Sequence, residues 1–128
     1  MATTMYNKLD TETESGLFNP AEALARLDGD QELLQELAQI FLKESPEILR
    51  RLREAVKRGD VEAVAAEAHS MKGSVSTFGV TSATEAALTI EMMGRQKDLS
   101  GAPEALHHLE DTLDILWPAL AYVSGETA

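Results

Sequence analysis

No cysteine occurs among the 128 residues, which excludes disulfides and thiolate metal sites and is compatible with an intracellular setting. No run of about 18 apolar residues offers a membrane span, and Met1 to Gly16 lacks the apolar core of a secretory signal. Basic residues are scarce: 11 Lys and Arg stand against 22 Asp and Glu, a formal charge of −11. That balance disfavours direct contact with nucleic acid, which relies on clustered cations to neutralise phosphates, and mainly serves solubility. Also missing are a G-x-S-x-G elbow, a Walker-type loop and a kinase glycine-rich loop, so autonomous hydrolase or kinase chemistry is not expected. The sum is a soluble cytoplasmic protein with no membrane or nucleic-acid partner.

What is present is helical periodicity. With 44% apolar residues in 128, the chain can close one hydrophobic core and is expected to form one domain, residues 18–124. Residues 1–17 are acidic, threonine-rich and aperiodic and read as a flexible tail, and residues 125–128 as a second, short one. A short helix starts at Pro20, capped by Asn19, and ends at Gly29. Asp30 caps a long helix of about residues 31–58, with Leu33, Leu34, Leu37, Ile40, Phe41, Ile48, Leu49, Leu52 and Val56 as its core face and a bend at Pro46.

Gly59-Asp60 ends that helix and caps the next, which stops near Gly79. Ser82-Ala83-Thr84-Glu85 reads as a capping box opening a helix to about Gln96. A loop with Ser100-Gly101 leads to Pro103 and a last helix carrying Leu106, Leu109, Leu113, Ile115, Leu116 and Leu120. The expected fold is all-α: an antiparallel up-down-up-down four-helix bundle with a short additional N-terminal helix.

The third of these helices carries the chemistry. Val61, Val64, Ala68, Met71, Val75 and Phe78 recur at three and four residues and form its buried stripe. His69 lies roughly 130° from the centre of that stripe, so its ring faces water. Its neighbours at three and four residues are Ala65, Ala66, Lys72 and Gly73, three of which carry almost no side chain and leave the imidazole accessible. Gly73 also weakens the helix by roughly 1 kcal/mol relative to alanine, a penalty that makes sense where another group must approach. Lys72 brings a flexible cation within reach of anything attached to the ring. An exposed nucleophile, open approach and adjacent positive charge suit a carrier of a phosphoryl group.

The segment Ala68-His69-Ser70-Met71-Lys72-Gly73-Ser74, followed by Phe78-Gly79, resembles the signature of the histidine-containing phosphotransfer (HPt) domain of multistep phosphorelays. The resemblance extends upstream to Phe18-Asn19, Leu27, Gly29-Asp30, Leu33-Leu34, Phe41-Leu42, Pro46 and Gly59-Asp60, and downstream to Glu91, Gly94 and Asp98-Leu99. It runs from about residue 18 to residue 122. Met71 stands where leucine is more usual, a volume-conserving change on the buried face.

The resemblance implies that His69 is phosphorylated and relays the group between aspartates of response-regulator receiver domains, fed by a hybrid sensor histidine kinase. Mg²⁺ would sit on the receiver, and this chain would bind no cofactor or metal of its own. A neutral imidazole nitrogen is a competent nucleophile near physiological pH, and phosphoryl transfer depends largely on positioning and charge neutralisation. The chain would then be a phosphocarrier, expected to be monomeric, docking receivers through the small and apolar residues around His69 and hydrophobic contacts from the long helix. The rival reading is an HPt-like adaptor that binds a kinase or receiver without transfer; intact His69, Lys72 and Gly73 argue against it.

Some HPt domains place a basic residue near the phosphate on the following helix, which nominates Arg95, although an ordinary solvated arginine fits equally. Glu91 is a poorer candidate, since its carboxylate repels phosphate unless it orients a neighbour. Ser70, Ser74 and Ser76 carry hydroxyls, and Ser76 is angularly nearest His69, but such hydroxyls commonly bond their own helix. His107 and His108 are adjacent, point about 100° apart and lack metal-ligand spacing, so a surface role is expected. Trp117, ahead of Pro118, is expected to pack at the bundle end.

Overall fold

The computed structural model describes residues 18–125. The expected N-terminal tail, 1–17, and all but Gly125 of the expected C-terminal one lie outside the described residues. Five helices follow in order: α1 (Pro20–Arg26), α2 (Gln31–Arg58), α3 (Val61–Ser76), α4 (Thr81–Arg95) and α5 (Ala102–Ser124), with no strand among the described residues. The long helices close a ring in which α2 packs on α3, α3 on α4, α4 on α5 and α5 back on α2, while α1 leans on α2. Short links make successive helices antiparallel neighbours.

Local chemistry sets most of the boundaries. Asn19 Oδ1 accepts from the backbone N–H groups of Ala21 at 2.9 Å and Glu22 at 3.2 Å, opening α1. Asp30 Oδ1 accepts from Leu33 N at 3.0 Å and Asp60 Oδ1 from Ala63 N at 3.1 Å, opening α2 and α3. Between them α2 runs through Pro46 as one helix to Gly59, whose φ of 70° provides the left-handed turn.

The start of α4 departs from expectation. Val80, not Ser82, holds the N-cap position, and no side chain caps the helix. Phe78 and Val80 are both buried, and Gly79 between them turns with φ of 70°. Anchoring both apolar residues in the core starts the helix at Thr81 and leaves Ser82 inside its first turn, so burial overrides the capping box.

The core is filled by Leu49 and Leu52 from α2, Met71 and Val75 from α3, Ile90 from α4, and Leu109, Leu113, Leu116 and Leu120 from α5. Phe78 receives Phe41 and Phe18 edge-on, at ring-centre distances of 5.5 and 6.2 Å, and so joins the end of α3 to α2 and to the approach of α1. Three expected core residues are exposed: Leu33, Ile40 and Ile115. Each lies on the edge of its helix's apolar arc, which the bundle only partly covers. Trp117 is half-buried midway along α2 rather than at the bundle end, because its Nε1–H donates to the hydroxyl of fully buried Ser45 at 2.8 Å.

Candidate functional site

Four buried residues of α3, Val64, Ala68, Met71 and Val75, fix the rotation of that helix and turn His69 outward, its side chain 62% exposed. Gly94 sets the distance to α4. A Cβ on Gly94 would stand 2.7 Å from Ala65 N and 2.8 Å from Val61 O, so only glycine permits this backbone-to-backbone approach. With the helices in contact there, Glu91, about one turn back along α4, lies level with His69 and Lys72 on α3.

Glu91 is the centre of the arrangement. Its side chain is 3% exposed and meets three cationic or ionisable groups. Oε2 accepts from Arg95 Nε at 3.0 Å and Nη2 at 2.7 Å and lies 3.0 Å from His69 Nδ1. Oε1 is 2.8 Å from Lys72 Nζ, an ion pair by distance whose angle misses hydrogen-bond alignment. The Lys72 ammonium, then Arg95 and His69, outweigh burial and hold the Glu91 carboxyl at about 2, below its ordinary 4.5. Glu91 is therefore an ionised carboxylate, which accepts hydrogen bonds and donates none. In a neutral His69 ring the proton must then sit on Nδ1, leaving the Nε2 lone pair free on the exposed side.

The residues expected to keep approach open are Ala65, Ala66 and Gly73. Ala65 and Ala66 line a cleft beside His69, together with Gly94, Arg95 and Lys97. A Cβ on Gly73 would meet nothing within 4 Å, so no packing demand within the described fold calls for glycine there. Ser76 is placed differently: its hydroxyl donates to Gly73 O at 2.9 Å and is engaged by its own helix. His107 lies apart from the cluster, with an 83% exposed side chain and Nδ1 3.5 Å from Glu110 Oε1. No group of three or more His, Cys, Asp or Glu able to hold a metal occurs among the described residues, and no described helix is long and apolar enough to cross a membrane.

Glu91, a poorer candidate than Arg95 on sequence, is the residue that joins the cluster. The available signal was its i,i+4 spacing to Arg95, which pairs the two on one face of α4. Its distance to His69 and Lys72 depends on how α3 and α4 pack.

Residues 36–118 match the family model described as the Hpt domain. The crystal structure of histidine-containing phosphotransfer protein B (HptB) from Pseudomonas aeruginosa PAO1 has the same fold, with a TM-score of 0.77 over 85% of this chain and 95% of that one. The sequence identity is 23%, so this likeness speaks for the fold. No curated protein sequence matches.

Proposed function

The chain belongs to the Hpt domain family, the histidine-phosphotransfer modules of two-component signalling, and on that premise we propose that His69 relays a phosphoryl group between receiver-domain aspartates. One observation carries the reading: an exposed imidazole whose Nδ1 is held at 3.0 Å by a buried, ionised glutamate. That hydrogen bond fixes the ring and the tautomer.

In the forward step the Nε2 lone pair attacks the phosphorus of a receiver aspartyl phosphate, the P–O bond breaks, and the aspartate leaves as a carboxylate. The N–P bond forms at Nε2 while the proton stays on Nδ1. Positive charge then develops on the ring, 3.0 Å from Glu91 Oε2, where a carboxylate stabilises it. Passing the group to a second receiver reverses these steps. Mg²⁺ belongs to the receiver, where it neutralises the phosphoryl oxygens. Lys72 and Arg95 are the cations of this chain assigned to the same task, released in part from Glu91 as phosphate oxygens compete for them. Ser76 has weaker support, its hydroxyl being bonded to Gly73 O.

A receiver meets His69 across the open sector at Ala65, Ala66 and Gly73. Exposed Ile40 and half-buried Leu37, beside Ser74 and Thr77, add an apolar edge from α2. The upstream partner is a hybrid sensor histidine kinase, and the chain acts as a cytoplasmic, monomeric phosphocarrier. The test is incubation with a phosphorylated receiver domain and Mg²⁺, reading acid-labile, base-stable phosphate on wild type and His69→Gln. Label on wild type alone is expected. Label on His69→Gln would displace the site, and no label on either across a broad receiver panel would leave a binding-only adaptor.

A further inference from the structure

Lys72 and Arg95 both spend their charge on Glu91, at 2.8 and 2.7 Å. The third cation at the site is Lys97, which lines the same cleft as His69. Its side chain makes no ion pair or hydrogen bond among the described residues.

Its backbone is as telling as its charge. After α4, Lys97 N–H donates to Gly94 O at 3.1 Å and Asp98 N–H to Met93 O at 3.0 Å, the paired bonds of a Schellman ending. That ending needs a left-handed residue, and Lys97 adopts φ of 60°. At the ends of α2 and α5 the chain meets the same need with Gly59 and Gly125. The only other described non-glycine with positive φ is Asp28, a residue type that tolerates the region far better than lysine. A lysine is thus held in a conformation that disfavours it, on the lining of the cleft that also holds Glu62, Arg95 and the imidazole.

Resting on the phosphotransfer reading of His69, we propose that Lys97 is a phosphate-binding residue of this site: its free ammonium meets the oxygens of the phosphoryl group entering or leaving Nε2. It supplies positive charge before Glu91 gives up either of its partners. A cation near a helix C-terminus also complements the helix dipole, but that role affects stability alone.

Phosphoramidate tests this without a protein partner. Nε2 attacks its phosphorus, the P–N bond breaks, and ammonia leaves with the bonding pair, giving phosphohistidine and free ammonia. The full chain, Lys97→Gly, Lys97→Arg and His69→Gln are followed by ³¹P NMR at low salt and in 1 M NaCl, with thermal melts in parallel. Lys97→Gly is expected to melt higher, because strain is relieved, and yet to be phosphorylated about threefold more slowly at low salt. Lys97→Arg should restore the rate, and high salt should close the gap between wild type and Lys97→Gly. An unchanged rate in Lys97→Gly, failure of arginine to rescue, or a gap indifferent to salt each overturns the proposal while leaving His69 in place. Absence of phosphohistidine on wild type removes both.

Discussion

Glu91 Oε2 stands 3.0 Å from His69 Nδ1, with the glutamate 3% exposed and the histidine 62% exposed. A buried acceptor thus holds a ring that is otherwise in solvent. The ring is aimed by a residue of α4, while most of its surface stays open to solvent on α3. This division of labour makes Glu91 the residue whose removal is most informative.

Glu91→Ala takes the counter-charge from Lys72 and Arg95 and the hydrogen-bond partner from the imidazole. Both cations reach solvent in part, so the expected loss is about 2 kcal/mol in urea unfolding, less than for a fully buried pair. Phosphoryl uptake should slow because the ring is no longer oriented. Wild-type stability and rate together in this variant would show that the contact contributes nothing.

Acid should reveal the same contact. The folded-state value of about 2 lies below the ordinary 4.5, held there by Lys72 first and then by Arg95 and His69 against burial. A depressed carboxyl value means that stabilisation is fully present above about pH 4.5 and is lost as pH falls through about 2. Urea midpoints of wild type and Glu91→Gln should therefore converge over that window. A difference that stays constant down to about pH 2 would place the origin of the effect elsewhere.

Two glycines should respond in opposite ways. Gly94→Ala puts a Cβ 2.7 Å from Ala65 N, backbone that cannot yield cheaply, so a loss of about 1–3 kcal/mol is expected, with α3 and α4 forced apart. Gly73→Ala adds a Cβ into open space inside a helix and should gain about 0.5–1 kcal/mol, yet slow transfer from a receiver that packs against that surface. Chemical denaturation and transfer rates measured on both variants separate packing from access. Faster transfer by Gly73→Ala would count against an access role.

Ser45→Ala would orphan the Trp117 indole N–H, whose 2.8 Å bond to the buried hydroxyl ties α5 to the middle of α2. A loss of about 1–2 kcal/mol and a shift in the emission of the chain's single tryptophan are expected. The site is held by other residues, so phosphate uptake should stay near wild type.

Most helix boundaries and the exposure of His69 were legible in the residues alone, because they depend on interactions within a few positions. Asn19, Asp30 and Asp60 cap where their side chains reach their own backbone, and Gly59 turns where only its own φ matters. The stripe Val64, Ala68, Met71 and Val75 fixes by rotation which way His69 faces. What depends on the distance between helices followed only from their packing. Glu91 reads locally as a partner for Arg95 and becomes the anchor of His69 and Lys72 only because Gly94 lets α4 touch α3. Val80 displaces Ser82 from the cap through burial of its apolar side chain. Leu33, Ile40 and Ile115 stay exposed because the neighbouring helices cover only part of each apolar arc. Spacing along one chain gives angle on one helix, whereas cover and charge pairing require the position of the next helix.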